Sequence, residues 1–378
     1  MSMPKLRFKS SSFGKGDIDT TLGNLVIIRS GTSPSNYELG GSGKYPFFKV
    51  EELNNCQKYQ RLSRNYSSTN KGSVPEKSII FPKRGAAIMT NKVRITLQES
   101  LLDSNLMALI PHEEKLNYEY LYQFLIKEEL HRIADTSSIP QINNKHIEPL
   151  KISLPSLIEQ QKIASFLSKV DQKISLLTKK HELLIQYKKG VMQKIFNQEI
   201  RFKDKDGKDF PEWEPSTIDS ISTKKASTIS ANKIEDNVGE YKIYGASGVL
   251  KTVDFYTEEN EYVSIVKDGA GAGRAFLCEP KTSVLGTMEK IIANDGVSTK
   301  FLYEILNSID FSQFITGSTI PHVYFKDYGK SKIELPCLDE QEKISNFLMK
   351  IDKSIEIAKS KIELTKQYKQ GLLQQMFI

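Results

Sequence analysis

Between residues 163 and 195, positions spaced alternately by four and three carry Ile163, Leu167, Val170, Ile174, Leu177, His181, Leu184, Lys188, Val191 and Ile195. The same spacing, 181 residues later, carries Ile344, Leu348, Ile351, Ile355, Ala358, Ile362, Thr365, Lys369, Leu372 and Met376. Eight of the ten positions are apolar in each run, which makes a narrow coiled-coil seam rather than a broad globular face. Each run predicts one long helix of about forty residues, a rod of roughly 60 Å. Ser156 with Glu159, just after Pro155, reads as a capping box at the first start, and Cys337 makes a poorer cap at the second.

The two runs are copies. Leu154 to Phe196 aligns with Leu335 to Phe377 without a gap. Identities include Phe166/Phe347, Asp171/Asp352, Tyr187/Tyr368, Gly190/Gly371 and Phe196/Phe377. A spaced duplication of this kind sets the architecture before any local reading. Two such stripes in one chain most simply bury each other. Only about 140 residues separate the end of the first rod from the start of the second. A compact domain of that size has a radius of gyration of about 14 Å and does not return the chain along a 60 Å rod. The expected fold is therefore α+β: two globular α/β domains joined by two long antiparallel helices in an intramolecular coiled coil, with a pseudo-twofold internal repeat and one domain at each end. The expected segments are a first domain at 1–153, a first helical spacer at 154–197, a second domain at 198–334 and a second spacer at 335–378.

Within the first domain, Leu25-Val-Ile-Ile, Tyr45 to Val50, Ser78 to Pro82, Ala86 to Thr90 and Val93 to Leu97 read as strands, with Lys83-Arg84-Gly85 as a basic turn and Tyr118 to Leu130 as a helix. The second domain offers strands at Tyr241 to Tyr244 and Tyr262 to Lys267 and a helix at Phe301 to Leu306. A polar linker, Asp204 to Pro211, opens it. Ser318-Thr-Ile-Pro321 and Lys326 fall 181 residues after Ser137-Ser-Ile-Pro140 and Lys145, so the repeat reaches into the globular parts. The domain interiors otherwise share little sequence, as two different recognition tasks would require.

Composition narrows the setting. At 378 residues and 39% hydrophobic, the chain can fill two or three ordinary domains. No apolar run approaches the ~18 residues of a membrane span. Met1-Ser-Met-Pro-Lys leads into no hydrophobic segment, and Cys56, Cys278 and Cys337 stand apart without CxxC spacing, so the expected compartment is the cytoplasm. The overall charge is +7 and is uneven: residues 1–155 carry 21 basic and 15 acidic side chains, whereas 198–336 carry 17 and 22. A basic first half suits a polyanion. The acidic second domain does so only if its basic residues gather on one face.

Catalytic signals are weak. Gly269, Gly271 and Gly273 follow a strand, but Arg-Ala-Phe-Leu-Cys comes next where a phosphate loop needs a helix N-terminus. A hairpin turn fits better. Asp268 with Glu279-Pro-Lys281 has metal-nuclease spacing that arises often by chance, and the histidines are scattered. No Asn/Asp-Pro-Pro-aromatic run of an adenine methylase is present. No catalytic or metal site is expected.

Taken together, the repeated Ile-x-Leu-Pro-x-Leu-x-Glu-Gln-x-Lys-Ile-x-x-Phe-Leu, the closing Tyr-Lys-x-Gly-x-x-Gln-x-x-Phe and the Ser-x-Ile-Pro before each rod resemble the specificity subunit of type I restriction-modification enzymes. The resemblance covers nearly the whole chain. It implies that each globular domain is a target recognition domain reading one half of a bipartite, asymmetric site in double-stranded DNA. It further implies that the helices set the gap and hold two methylation subunits. Those partners bring S-adenosylmethionine for adenine N6 methylation, and restriction subunits add ATP- and Mg-dependent translocation and cleavage. The chain itself carries no cofactor on this reading and is not an enzyme. Two alternatives are a scaffold that binds a partner without reading sequence, and a small enzyme built on the Gly269–Arg274 loop.

Base-edge discrimination needs Arg, Lys, Asn, Gln, Ser and Thr on loops, with further basic groups on phosphates. Candidates in the first domain are Arg29, Thr32, Lys49, Arg64, Lys83, Arg84, Asn91, Lys92 and Arg94. In the second they are Tyr244, Ser247, Lys251, Lys267, Arg274, Lys290, His322 and Lys326. Polar residues off the seam that are the same in both copies are the candidate docking contacts: Glu159, Gln160, Lys162, Gln186 and Gln193, with Glu340, Gln341, Lys343, Gln367 and Gln374.

Overall fold

A computed structural model of the chain describes residues 6–8, 17–135 and 139–377. The opening Met1 to Lys5, and Ser137 and Ser138 of the first Ser-x-Ile-Pro segment, lie outside these residues. Both periodic runs fold as continuous helices, Leu157–Phe196 and Leu338–Met376. The chain divides into two compact units, Met1–Thr178 with Ser360–Ile378, and Lys179–Lys359. The division cuts both helices near their middles, so each unit takes half of each. The first unit pairs the N-terminal half of the first helix with the C-terminal half of the second, and the second unit the reverse. The helices therefore run antiparallel.

All ten seam positions of each helix are buried or half-buried. The two lysines among them have a reason. In the first unit Lys369 lies 2.6 Å from Asp171, and in the second Lys188 lies 2.6 Å from Asp352. These are one interaction made twice, since Asp171 and Lys188 are the repeat counterparts of Asp352 and Lys369.

The bodies repeat as well, although their sequences do not. In the first unit Val26–Ser30, Leu106–Pro111, Ile79–Pro82 and Arg94–Thr96 form antiparallel neighbours, extended by Tyr59–Gln60. In the second unit Ser222–Ala226, Met288–Ala293, Tyr262–Val266 and Ala275–Cys278 lie in the same order. A small second sheet follows the same plan in both: the middle strand, Tyr45–Phe48 or Tyr241–Gly245, has one antiparallel and one parallel neighbour. A two-stranded ribbon joins Ile18–Thr21 to Lys151–Leu154, and Glu214–Thr217 to Lys332–Leu335. Strands of this kind are specified by which face they bury, so many side-chain sets satisfy one topology. One expected strand is absent. Ala86–Thr90 forms a short 3-10 turn, because Gly85 and Asn91 on either side adopt left-handed backbone and only Ile88 points inward.

Each body is fastened to its helix by a matched polar clip. Gln160 Oε1 accepts from the Asn117 backbone N–H at 2.8 Å, and its amide donates to the carbonyls of Lys115 and Pro155. Gln341 does the same with Ser298, Gly296 and Pro336. Asn117 and Ser298 are the N-cap residues of the body helices Tyr118–Glu128 and Thr299–Ser308. An Arg-Phe pair completes the clip. Arg7 reaches Glu159 while Phe8 packs on Phe166, and Arg201 reaches Glu340 while Phe202 packs on Phe347. In each unit the closing phenylalanine of the other long helix seals the same body helix, Phe377 on Tyr120 and Phe196 on Phe301. Burying one such ring contributes about 1.5–3 kcal/mol.

Candidate nucleic-acid interface

A loop edge with the same backbone design occurs in both units. In the first, Gly85 N–H donates to the Pro140 carbonyl at 2.9 Å, and Ile142 N–H to the Lys83 carbonyl at 2.8 Å. In the second, Gly269 N–H donates to Pro321 and Val323 N–H to Lys267, both at 2.9 Å. The Lys-x-Gly turn is thus laced to the Ser-x-Ile-Pro segment in each body. Gly85 and Gly269 have φ of 80° and 97°, where a side chain would be strained. The residues Ile139 and Ile320 beside the prolines are 51% and 54% exposed, a feature repeated in both units.

Several candidate readers lie on or near these edges. Arg84 is exposed and Lys83 half-buried; burial and the adjacent Arg84 charge both hold the Lys83 ammonium below its ordinary pKa. Lys267 lies 3.6 Å from Asp268, whose Oδ1 is 2.8 Å from His322 Nδ1. His322 stacks on Tyr324, over which Lys326 also sits. Arg274 is exposed and reaches the Ala246 carbonyl, next to exposed Ser247. Elsewhere in the first unit Arg64 is exposed, while Lys49 and Lys92 are half-buried. Arg29 is exposed and hydrogen-bonds the Ser73 carbonyl, and Thr32 bonds the Tyr37 hydroxyl at 2.6 Å.

Other candidates are committed inside the fold. Asn91 braces the end of a helix, donating to Ile126 and accepting from Leu130. The Arg94 guanidinium is spent on the Leu53 and Val93 carbonyls, and the Lys251 ammonium on those of Ile234 and Glu235. Tyr244 is a core residue, 6% exposed, and Lys290 is equally buried in an ion pair with Glu258. Composition favours such residues on loops, but it does not say whether a backbone carbonyl claims them first.

The docking candidates divide the same way. Lys162, Gln186, Gln193, Gln367 and Gln374 are exposed. Gln160, Gln341 and Glu340 are buried in the clips, and Glu159 faces Arg7, so the intramolecular fastening accounts for their repetition. Lys343 donates to the Lys203 carbonyl over the Phe210 ring. The polar selection missed an apolar surface. In the first unit Leu176, Leu364 and Tyr368 are 62%, 60% and 56% exposed. Their repeat counterparts in the second unit, Ile357, Leu183 and Tyr187, are 45%, 53% and 54% exposed. In the first unit Leu364 and Tyr368 line an open groove of about 610 Å³ with Phe166, Val170 and Leu177. Residues one step off the seam of a two-helix pair are ordinarily polar. That rule, applied to Leu183 and Leu364, was the available signal.

The glycine loop is a hairpin. Gly269, Gly271 and Gly273 all take positive φ and lead into the strand Ala275–Cys278 rather than into a helix. Asp268 turns to His322 and Glu279 to Lys242, which separates the two halves of the nuclease-like spacing. Among the described residues no group of three or more His, Cys, Asp or Glu is placed to hold a metal, and no helix is long and apolar enough to cross a membrane.

Comparison with known proteins places this duplicated design. The profile of the type I restriction modification DNA specificity domain matches residues 19–186 and again 211–366. The MjaVIII type I restriction enzyme specificity subunit of Methanocaldococcus jannaschii is 27% identical, over 93% of this chain and 90% of its own length. A putative MjaX specificity subunit of the same organism is 28% identical, over 71% of this chain and 69% of its own. The crystal structure of the type I S subunit from M. genitalium superposes with a TM-score of 0.65 at 17% identity, covering 100% of this chain and 99% of that one. Two profile matches fall on the two bodies and extend along the helices, and the chain belongs to the family of type I restriction-modification DNA specificity subunits.

Proposed function

We propose that each unit reads one half of a bipartite DNA site and that the helix pair sets the gap between the halves. The observation that carries this reading is the repetition itself. The clips, the seam ion pairs and the exposed apolar trio are the same in both units, whereas the loop side chains differ. Equal fastenings with unequal readers suit two partners of one kind serving two different half-sites. The partners would be two methylation subunits, docked on Leu176, Leu364 and Tyr368 in one unit and on Ile357, Leu183 and Tyr187 in the other. Those subunits would supply S-adenosylmethionine, and restriction subunits would supply ATP- and Mg-dependent cleavage.

The test is an exchange of one reader. The chain is expressed with its methylation subunits, and the methylated motif is read by sequencing the host genome. Replacing residues 1–150 with the equivalent part of a relative changes one half of the motif and leaves the other intact. A change in both halves at once would overturn the two-reader assignment.

A further inference from the structure

The two loop edges share a backbone frame and differ at three matched side chains. In the first unit Gln141 bridges Arg84 on one side and Asp135 on the other. In the second unit His322 bridges Asp268 and Thr316 in the same way. Residues directly opposite each other in such bridges project to the same face. Around the trio the frame is kept: Lys83 and Lys267, Gly85 and Gly269, Ile139 and Ile320, Pro140 and Pro321. Two bodies that read different half-sites share what is independent of sequence and differ in what reads it.

Resting on the two-reader function above, we infer that Arg84, Gln141 and Asp135 in the first unit, and Asp268, His322 and Thr316 in the second, are a matched recognition triplet in contact with base edges, while Lys83 and Lys267 hold the flanking phosphates. The chemistry of the side chains fits, with Thr316 able to donate or accept. Arg84 matches guanine O6 and N7, Gln141 matches adenine N6 and N7, and Asp135 accepts from a cytosine amino group. In the second unit the geometry fixes a tautomer. A carboxylate oxygen only accepts, so the 2.8 Å contact to Asp268 Oδ1 puts the proton of the neutral ring on His322 Nδ1. Nε2 is then an acceptor, and beside Asp268 it suits the exocyclic amino group of adenine or cytosine. Tyr324 stacks on the His322 ring.

The experiment uses the full chain assembled with its methylation subunits, with motifs read by genome methylation sequencing. His322→Gln places at this bridge the side chain that the first unit already carries there, so the frame accepts it. It changes the preferred base at one or two adjacent positions of a single half-site by about tenfold or more, and the other half-site and the gap stay as they were. Gln141→His does the same to the opposite half. Lys267→Ala instead weakens binding to all sequences alike and reduces the log-log salt slope by about one, with the motif unchanged. An unaltered motif in both bridge variants overturns the triplet, as does a motif altered by Lys267→Ala alone. A wild-type chain that directs methylation to no bipartite motif overturns the underlying two-reader function instead.

Discussion

Two matched glutamines and one mismatched pair show how individual residues carry the design. Gln160 and Gln341 were legible as repeated, and their repetition suggested a partner. What sequence could not show is that three backbone groups wait for each of them. Removing the amide strands those groups in a buried site, at about 1–3 kcal/mol for each one left unpaired. Gln341→Leu should lower the denaturation midpoint of the second unit markedly, whereas exposed Gln374→Leu should stay within about 0.5 kcal/mol of the parent. Equal effects would remove the clip from the account. The mismatched pair is Gln123 and Glu304, counterparts in the repeat and both fully buried. Gln123 donates to Asp171 at 2.8 Å, while Glu304 lies 2.8 Å from the Lys188 ammonium, which Asp352 shares. Burial, and then the Asp352 charge, push the Glu304 carboxyl up to about 7, against the pull of Lys188. A folded-state pKa above the unfolded one means the native state holds the proton more tightly. Stability therefore falls as pH rises from about 4.5 to 7 and levels off above, by up to about 1.4 kcal/mol per pH unit for one proton. Glu304→Gln should flatten that slope, and Gln123 shows that the site accepts an amide. An unchanged slope by urea denaturation across this range would assign the proton to another group.

At the scale of the element, the seam was the most legible feature because its spacing is long, regular and duplicated. The positions named from periodicity face inward, and of the four polar ones Lys188 and Lys369 resolve into ion pairs. The strands were harder. They are short, and Ala86–Thr90 shows that a run of small apolar residues beside a glycine reads equally well as a strand or a tight turn. The gap-setting role gives the helices a length that matters. In an antiparallel pair both must change together, so four residues are added to each at the division between the units, after Thr178 and after Lys359. Each insertion lengthens its helix by about 6 Å. Duplex DNA rises about 3.4 Å per base pair, so the unread gap should widen by about two pairs. Four residues exceed a whole turn by about 40°, and DNA twist adds to the mismatch, so affinity falls in the same variant. Methylation sequencing should return the same two half-sites at a new separation. An unchanged gap would mean that the helices do not measure DNA.

For the whole molecule, the duplication was readable in the helices and nearly invisible in the bodies, where only the Ser-x-Ile-Pro segment and its lysine carried it. The structure shows why. Four strands of the larger sheet and all three of the smaller one repeat in order because topology depends on which face is buried, while exposed loop residues drift with what each body reads. The candidate partner surface divides for a related reason. Polar identity at Gln160, Gln341 and Glu340 serves the fold, whereas Lys162, Gln186, Gln193, Gln367 and Gln374 are exposed, and the proposed docking face adds the apolar trio to them. That trio predicts stoichiometry. Leu176→Glu with Leu364→Glu charges the face of the first unit only, and Leu183→Glu with Ile357→Glu that of the second. All four side chains are exposed, so folding stability should change little. An apolar contact that must lose water around a carboxylate is weakened strongly. Native mass spectrometry of the complex should find two methylation subunits on the parent chain, one on either double variant and none on the quadruple variant. Two subunits retained on the quadruple variant would move docking away from this face, and loss of both from a single double variant would show that the two sites do not act independently.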